Sequence, residues 1–195
     1  MSFVTHDGGS LSCQPGTREP ISARATHFDA DSWFAVQVRP QHEMTVASIL
    51  KHKGYQQLVP TYVSQRKWVD RVKLIERPLF TGYVFCRTTE TSMGLVIATP
   101  GVVRIVGFNR KPVPIPEEEI LAIYRVMQSG AKVYPCELRL RVGQKVQVNS
   151  GPLAGITGTL VQVKNRRQLV ISVDVTMKAV SLDIDAFEVR MLRAA

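Results

Sequence analysis

The chain of 195 residues is poor in the groups that metal and redox chemistry use. Its three cysteines, Cys13, Cys86 and Cys136, include no C-x-x-C pair, and the four histidines, His6, His27, His42 and His52, form no ligand-like cluster with them. This excludes a structural zinc of ordinary spacing and predicts a reduced, cytoplasmic setting with no metal. Long apolar runs are missing as well. No stretch approaches the roughly 20 residues that a membrane-spanning helix needs, and the first residues lack the basic start and apolar run of a signal peptide. A soluble protein without a membrane partner is expected. No Ser/His/Asp, Cys/His, paired-carboxylate or phosphate-loop pattern occurs in a fitting context, so neither an enzyme nor a cofactor is expected.

Acidic charge is also short, with 16 Asp and Glu against 25 Lys and Arg, a net charge of +9. Residues 1–32 hold 2 basic and 4 acidic groups, residues 33–129 hold 13 and 7, and the remainder 10 and 5. Both prospective folded parts are therefore basic, which favours a polyanionic partner over a neutral one, although a solvated lysine-rich surface gives the same balance.

Residues 1–31 are rich in Gly, Ser, Thr, Asp and Pro and hold too little apolar surface to offset ordering entropy, so a flexible tail is predicted. Order is expected from W-F-A-V-Q-V at Trp33, a strand stopped by Arg39-Pro40. Residues 41–53 read as a helix, with Val46, Ala47, Ile49 and Leu50 on one face, Lys51 and Lys53 in the last turn and Gly54 as the stop. A strand over 55–59 and an extended hairpin over 61–75 follow. The hairpin tip is basic: Arg66, Lys67, Arg71 and Lys73 outnumber Asp70, and Trp68 lies among them. Such a tip can track phosphates while the indole stacks on a base; equally, Trp68 can pack under the hairpin with the charges solvated.

The densest apolar run is R-P-L-F-T-G-Y-V-F over 77–85. It reads as one strand entered through a kink at Pro78, with Gly82 allowing a bend or a close approach. A period of two puts Phe80, Gly82 and Val84 on one face and Leu79, Thr81, Tyr83 and Phe85 on the other. Aromatics on both faces call for a helix over the second face or a partner protein. Cys86 beside Arg87 fits inert core better than a reactive thiol.

Thr89 or Thr91 can cap a short helix through Ala98, with Met93, Val96 and Ile97 as its apolar face, and Pro100-Gly101 ends it. A strand over 102–108 and a rigid proline turn over 111–116 lead into a helix with Ile120, Ile123, Tyr124 and Met127 as the buried stripe, closed by Gly130. Glu117, Glu118 and Glu119 point apart on a helix, so they read as dipole compensation rather than as a metal or acid-base set. Residues 130–141, without a period and containing Pro135, read as a linker.

From 142 onward only strand alternation occurs, which predicts a small all-β barrel over 142–195 with a glycine-rich turn at 149–158. Val170, Ile171, Val173, Val175, Thr176 and Val180 dominate 168–184 and favour strands over helices there.

Two segments in this order, R-P-L-F-T-G-Y-V-F and V-G-Q-K-V-Q-V-N-S-G-P-L-A-G-I-T-G, with W-F-A-V-Q-V at the start and A-T-P-G-V-V-R-I-V-G before the proline turn, make the chain resemble the NusG family of transcription elongation factors over about 33–195. The resemblance implies an α+β fold: an α/β sandwich with a mainly antiparallel sheet (NGN type) over 32–129, the linker, and a KOW barrel. It implies that the first domain binds the clamp helices of RNA polymerase and lies over DNA, discouraging pausing, with Trp33, Phe80, Tyr83 and Ile105 on the receiving surface.

In family members the barrel recruits the Rho termination factor or a small-subunit ribosomal protein. Where the housekeeping members carry isoleucine, phenylalanine, glycine and arginine, this chain has Val175, Thr176, Met177 and Lys178, without the aromatic. That departure favours a specialised paralogue, similar to the RfaH-like and capsule-operon regulators, over the housekeeping factor. In such paralogues non-template DNA is read near the helix after the G-Y-V strand, where Ser92, Met93 and Gly94 stand here; upstream DNA is the other nucleic-acid partner, for the basic hairpin. A rival from another class is a translation-linked RNA-binding protein that uses the KOW barrel.

Overall fold

The structure, a computed structural model, describes residues 31–67, 72–137, 143–163, 166–184 and 189–192. The predicted tail lies outside these residues apart from Asp31. In the first part the elements are β1 (Ser32–Val38), α1 (Glu43–His52), β2 (Gln56–Leu58), β3 (Thr61–Lys67), β4 (Val72–Pro78), β5 (Tyr83–Thr88), α2 (Met93–Ile97), β6 (Val102–Ile105), β7 (Gly107–Phe108), β8 (Lys111–Pro112) and α3 (Glu117–Gln128). The second part holds β9 (Val133–Glu137), β10 (Gln144–Val148), β11 (Thr157–Val163), β12 (Arg166–Val173), β13 (Lys178–Asp183) and β14 (Val189–Met191).

The first part is built on a four-stranded sheet in the order β2-β5-β1-β6, in which β1 runs antiparallel to both of its neighbours. Alternation along β1 divides its side chains between two cores. Phe34, Val36 and Val38 join Val46, Ala47 and Leu50 of α1 with Val84, Cys86, Met93, Val96 and Ile105. On the opposite face, Ala35 and Phe85 join Phe80, the α3 residues Ile120, Ile123 and Val126, and apolar residues of the second part such as Val146, Leu169 and Leu182. The first core is thus closed by the first part alone, whereas the second is shared.

Several elements differ from the sequence reading for local reasons. Gln41 has φ +66°, so it belongs to a turn and α1 begins later than the apolar spacing suggests. The strand read over 102–108 breaks after Ile105, because Asn109 and Arg110 both adopt left-handed backbone (φ +49° and +63°) and close the two-residue hairpin β7–β8. In α3 it is Val126 that completes the buried stripe with Ile120 and Ile123, and Tyr124 is half exposed. Within the stretch read as linker, β9 pairs with β13 at the edge of the second sheet. Pro135 is tolerated there because an edge strand can spare a donor.

The second part is one antiparallel sheet of six strands in the order β14-β10-β11-β12-β13-β9. β12 and β13 occupy the region where β-branched residues favour strands. α3 packs against β12 and so links the two parts.

Candidate partner-binding surface

The run 77–85 is two strands and a turn rather than one kinked strand: β4 ends at Pro78 and β5 begins at Tyr83. Tyr83 N–H donates to the Phe80 carbonyl (3.0 Å), and Gly82 has φ +83°, the backbone that the third position of a type II turn requires. Val38 N–H donates to the Gly82 carbonyl (2.9 Å), and Leu79 N–H to the Pro60 carbonyl (2.8 Å). Gly82 N–H donates to the Glu43 carboxylate at 2.7 Å. Glu43 is only 3% exposed, so α1 contributes a buried acceptor that fixes the turn. Sequence reasoning missed this residue. An acidic side chain in a first helical turn looks like dipole compensation, and the turn that it serves is 39 positions away.

The turn alters the expected division of faces. Phe80 does not oppose Tyr83; it packs edge-on against Phe85 (ring centroids 5.0 Å apart, planes at 77°), and Tyr83 packs on the same cluster. Phe80 is fully buried, while Thr81 is exposed and Tyr83 half-buried.

The cover over this turn comes from the second part. Lys178 Nζ donates to the Thr81 carbonyl (2.6 Å) and lies 5.1 Å from the centre of the Tyr83 ring. Lys178 is aimed by the segment before it. Asp174–Thr176 forms one 3-10 turn, Met177 takes left-handed backbone (φ +54°), and the buried Thr176 hydroxyl donates to the Val173 carbonyl (2.8 Å) while accepting from Lys178 N–H (3.3 Å). Of the four residues singled out in this loop, Thr176 is therefore structural, Val175 packs on the shared core, Lys178 reaches the first part, and Met177 is 64% exposed. Nearby, the Glu119 carboxylate of α3 accepts from the Asp174 backbone; its pKa is raised, first by burial and then by the charge of Asp174.

The other expected site residues lie elsewhere. Trp33 pairs with Arg87 and Tyr83 with Gln37, so Trp33 and Tyr83 are four positions apart along the sheet, about 13 Å. Trp33 lines a separate groove with Tyr55, Leu58 and Tyr124. Ile105 pairs with Val36 and belongs to the core on the far face of the sheet, away from Tyr83. Met93 is 7% exposed and fills that core from α2, whereas Gly94 is exposed and Ser92 half-buried. In the hairpin β3–β4, Arg66 faces Lys73 and Lys67 faces Val72 in backbone register; Trp68 and Arg71 lie outside the described residues. Cys86 is buried, and burial pushes its thiol up to about 12, well away from a reactive thiolate. Among the described residues no helix is long and apolar enough to cross a membrane, and no group of three His, Cys, Asp or Glu could hold a metal ion.

The first part is thus an α/β unit whose aromatic turn is capped by a lysine from an all-strand second part. The family model described as "Transcription termination factor nusG" matches residues 31–124. The transcription termination/antitermination protein NusG of Rickettsia prowazekii is 31% identical over 137 residues, covering 68% of this chain and 71% of that protein. Its namesake in Neisseria meningitidis serogroup B is 28% identical over 173 residues, covering 82% and 97%. The solved structure "Domain interaction in Thermotoga maritima NusG" aligns over 84% of this chain and 94% of that one, with 18% identity and a TM-score of 0.43. The chain belongs to the NusG family of transcription factors.

Proposed function

We propose that this chain binds RNA polymerase, with the Phe80–Tyr83 turn seated on the clamp helices, and that it modulates pausing, termination or antitermination in the cytoplasm. One observation carries this reading: the turn is held rigid from within its own module, by Glu43 and Gly82, but its outer cover is Lys178 from the other module. The Lys178 side chain itself is held on the turn by one hydrogen bond and one ring contact, so it can give way to a partner there while the core shared by the two parts stays intact, and a pre-ordered aromatic turn loses little entropy on binding. Upstream or non-template DNA is assigned to the basic hairpin β3–β4 and to the exposed surface around Ser92 and Gly94. The loop at Val175–Lys178 offers Met177 and no aromatic to a further partner such as Rho or a small-subunit ribosomal protein, which supports a specialised paralogue over the general factor.

The test is Tyr83→Ala, because Tyr83 is half-buried and its truncation leaves Phe80 in the core. Truncating an aromatic anchor removes about 2 kcal/mol, so affinity for core polymerase should fall roughly 30-fold while the circular dichroism melt stays near wild type. A folded variant that binds as wild type does would overturn the assignment.

A further inference from the structure

A groove of about 710 Å³ separates β3 from the end of α3 and the start of β9. Residues 61–65 of β3 line it in unbroken succession, and none of β4 does. Successive side chains of a strand point to opposite faces, so a run of neighbours can line one groove only where the edge of the strand, its backbone, faces it. The facing wall holds Met127 and Tyr134, with the exposed Lys132 as the one charged residue of the lining among the described residues.

The hydrogen-bond pattern of β3 defines what that edge offers. β3 pairs with β4 alone, in a two-stranded sheet. Leu79 N–H donates to the Pro60 carbonyl (2.8 Å), one step beyond the register Thr61↔Pro78. Bonded and non-bonded pairs alternate along an antiparallel ladder, so Tyr62 and Ser64 turn their backbone groups to β4, whereas Thr61, Val63 and Gln65 turn theirs outward. Pro78 fits this pattern, since it lacks an N–H and stands opposite Thr61, where the ladder needs none. Among the described residues no backbone group pairs with the outward set. β9 across the groove offers less, because Pro135 leaves the middle of its outer edge without a donor.

We propose that this groove is a strand-addition site: an extended segment of a partner protein pairs with β3 at Val63 and Gln65, with apolar side chains against Met127 and Tyr134 and a carboxylate at Lys132. Each outward residue offers one N–H and one carbonyl, a set that an extended backbone matches group for group. The edge is also ordered in advance, because Tyr62 packs on the core shared by the two parts, so the entropy cost falls mainly on the incoming segment. The volume is that of a small-ligand pocket, which suits one short extended segment better than the edge of a second folded sheet. The proposal rests on neither the polymerase nor the DNA assignment, since the Phe80–Tyr83 turn and the hairpin tip do not line the groove.

The probe is a displayed library of short random peptides, selected on the full chain. Selected peptides should carry apolar residues at alternate positions and an acidic residue at one end. With a selected peptide bound, amide hydrogen exchange should slow at Val63 and Gln65, while Tyr62 and Ser64, already paired with β4, stay as they were. Val63→Pro removes an outward donor and spares every bond to β4, so the melt should remain near wild type and peptide affinity should fall about tenfold or more. Val63→Thr keeps the donor and should bind as the parent chain does. If Val63→Pro melts early, the alternating exchange pattern of the unmutated chain decides alone. A library without binders would overturn the proposal, as would a bound peptide that leaves the Val63 and Gln65 amides unprotected or that tolerates Val63→Pro. Protection of these amides that grows with protein concentration, without peptide, would overturn it too and give the edge to a second copy of the chain.

Discussion

Lys178→Ala probes the relation between the two modules at its narrowest point. The side chain gives the Thr81 carbonyl one charge-assisted hydrogen bond of 2.6 Å and places its ammonium 5.1 Å from the Tyr83 ring centre. Thr81 is exposed, so its carbonyl can take a water when the lysine is gone, and the loss stays near the modest end for such bonds, about 1 kcal/mol. A cation over an accessible ring adds about 0.5 kcal/mol. The sum, about 1.5 kcal/mol, shifts the equilibrium between covered and uncovered turn roughly tenfold. Neither module's own fold depends on Nζ, so both should keep their melting behaviour. Two readouts follow: the Thr81, Gly82 and Tyr83 amide resonances should move toward the uncovered state, and polymerase affinity should rise, by at most the same factor. If these amides move and affinity falls instead, Lys178 contacts the polymerase directly, and the reasoning that treats it as a removable cover fails.

Other substitutions separate the turn from its cover. Glu43→Ala leaves Gly82 N–H without its acceptor in a part-buried site, which costs about 1 kcal/mol or more; thermal melts should drop by several degrees and polymerase affinity with them. Phe80→Ala removes a fully buried ring that packs on Phe85, so about 3–5 kcal/mol of stability should be lost, visible as an early denaturant midpoint. Glu119 has its pKa raised at the interface, so its contribution to the covered state is fully present below the ordinary carboxylate range and is lost as pH rises through the raised value. Titration of the Tyr83 amide shift should therefore show more cover at acidic than at neutral pH, and Glu119→Gln should flatten that slope.

The mixed α and β fold class was legible because each stretch has its own period. Alternation from Val146 to Ile184 yields strands with apolar faces, and Pro116 with three glutamates marks the start of α3. The shape of the aromatic stretch was not legible. Period-two counting assumes continuous extension, and the positive φ of Gly82 interrupts it, which moves Phe80 to the same side as Tyr83. The burial of Ile105 on the far face of the sheet could not be read from the sequence, because it depends on the register Val36↔Ile105, whereas that of Met93 agrees with its place on the apolar face of α2. The two contacts that define the site, Glu43 with Gly82 and Lys178 with Thr81, span 39 and 97 positions and leave no local pattern.

The central claim, that the Phe80–Tyr83 turn exchanges Lys178 for polymerase, is tested most directly by a photo-crosslinking residue at position 83. Without polymerase, the crosslinked peptide should contain Lys178. With saturating polymerase, it should come from the clamp helices, and the Lys178 product should disappear in proportion. A Lys178 crosslink that persists undiminished in the bound complex would contradict the account.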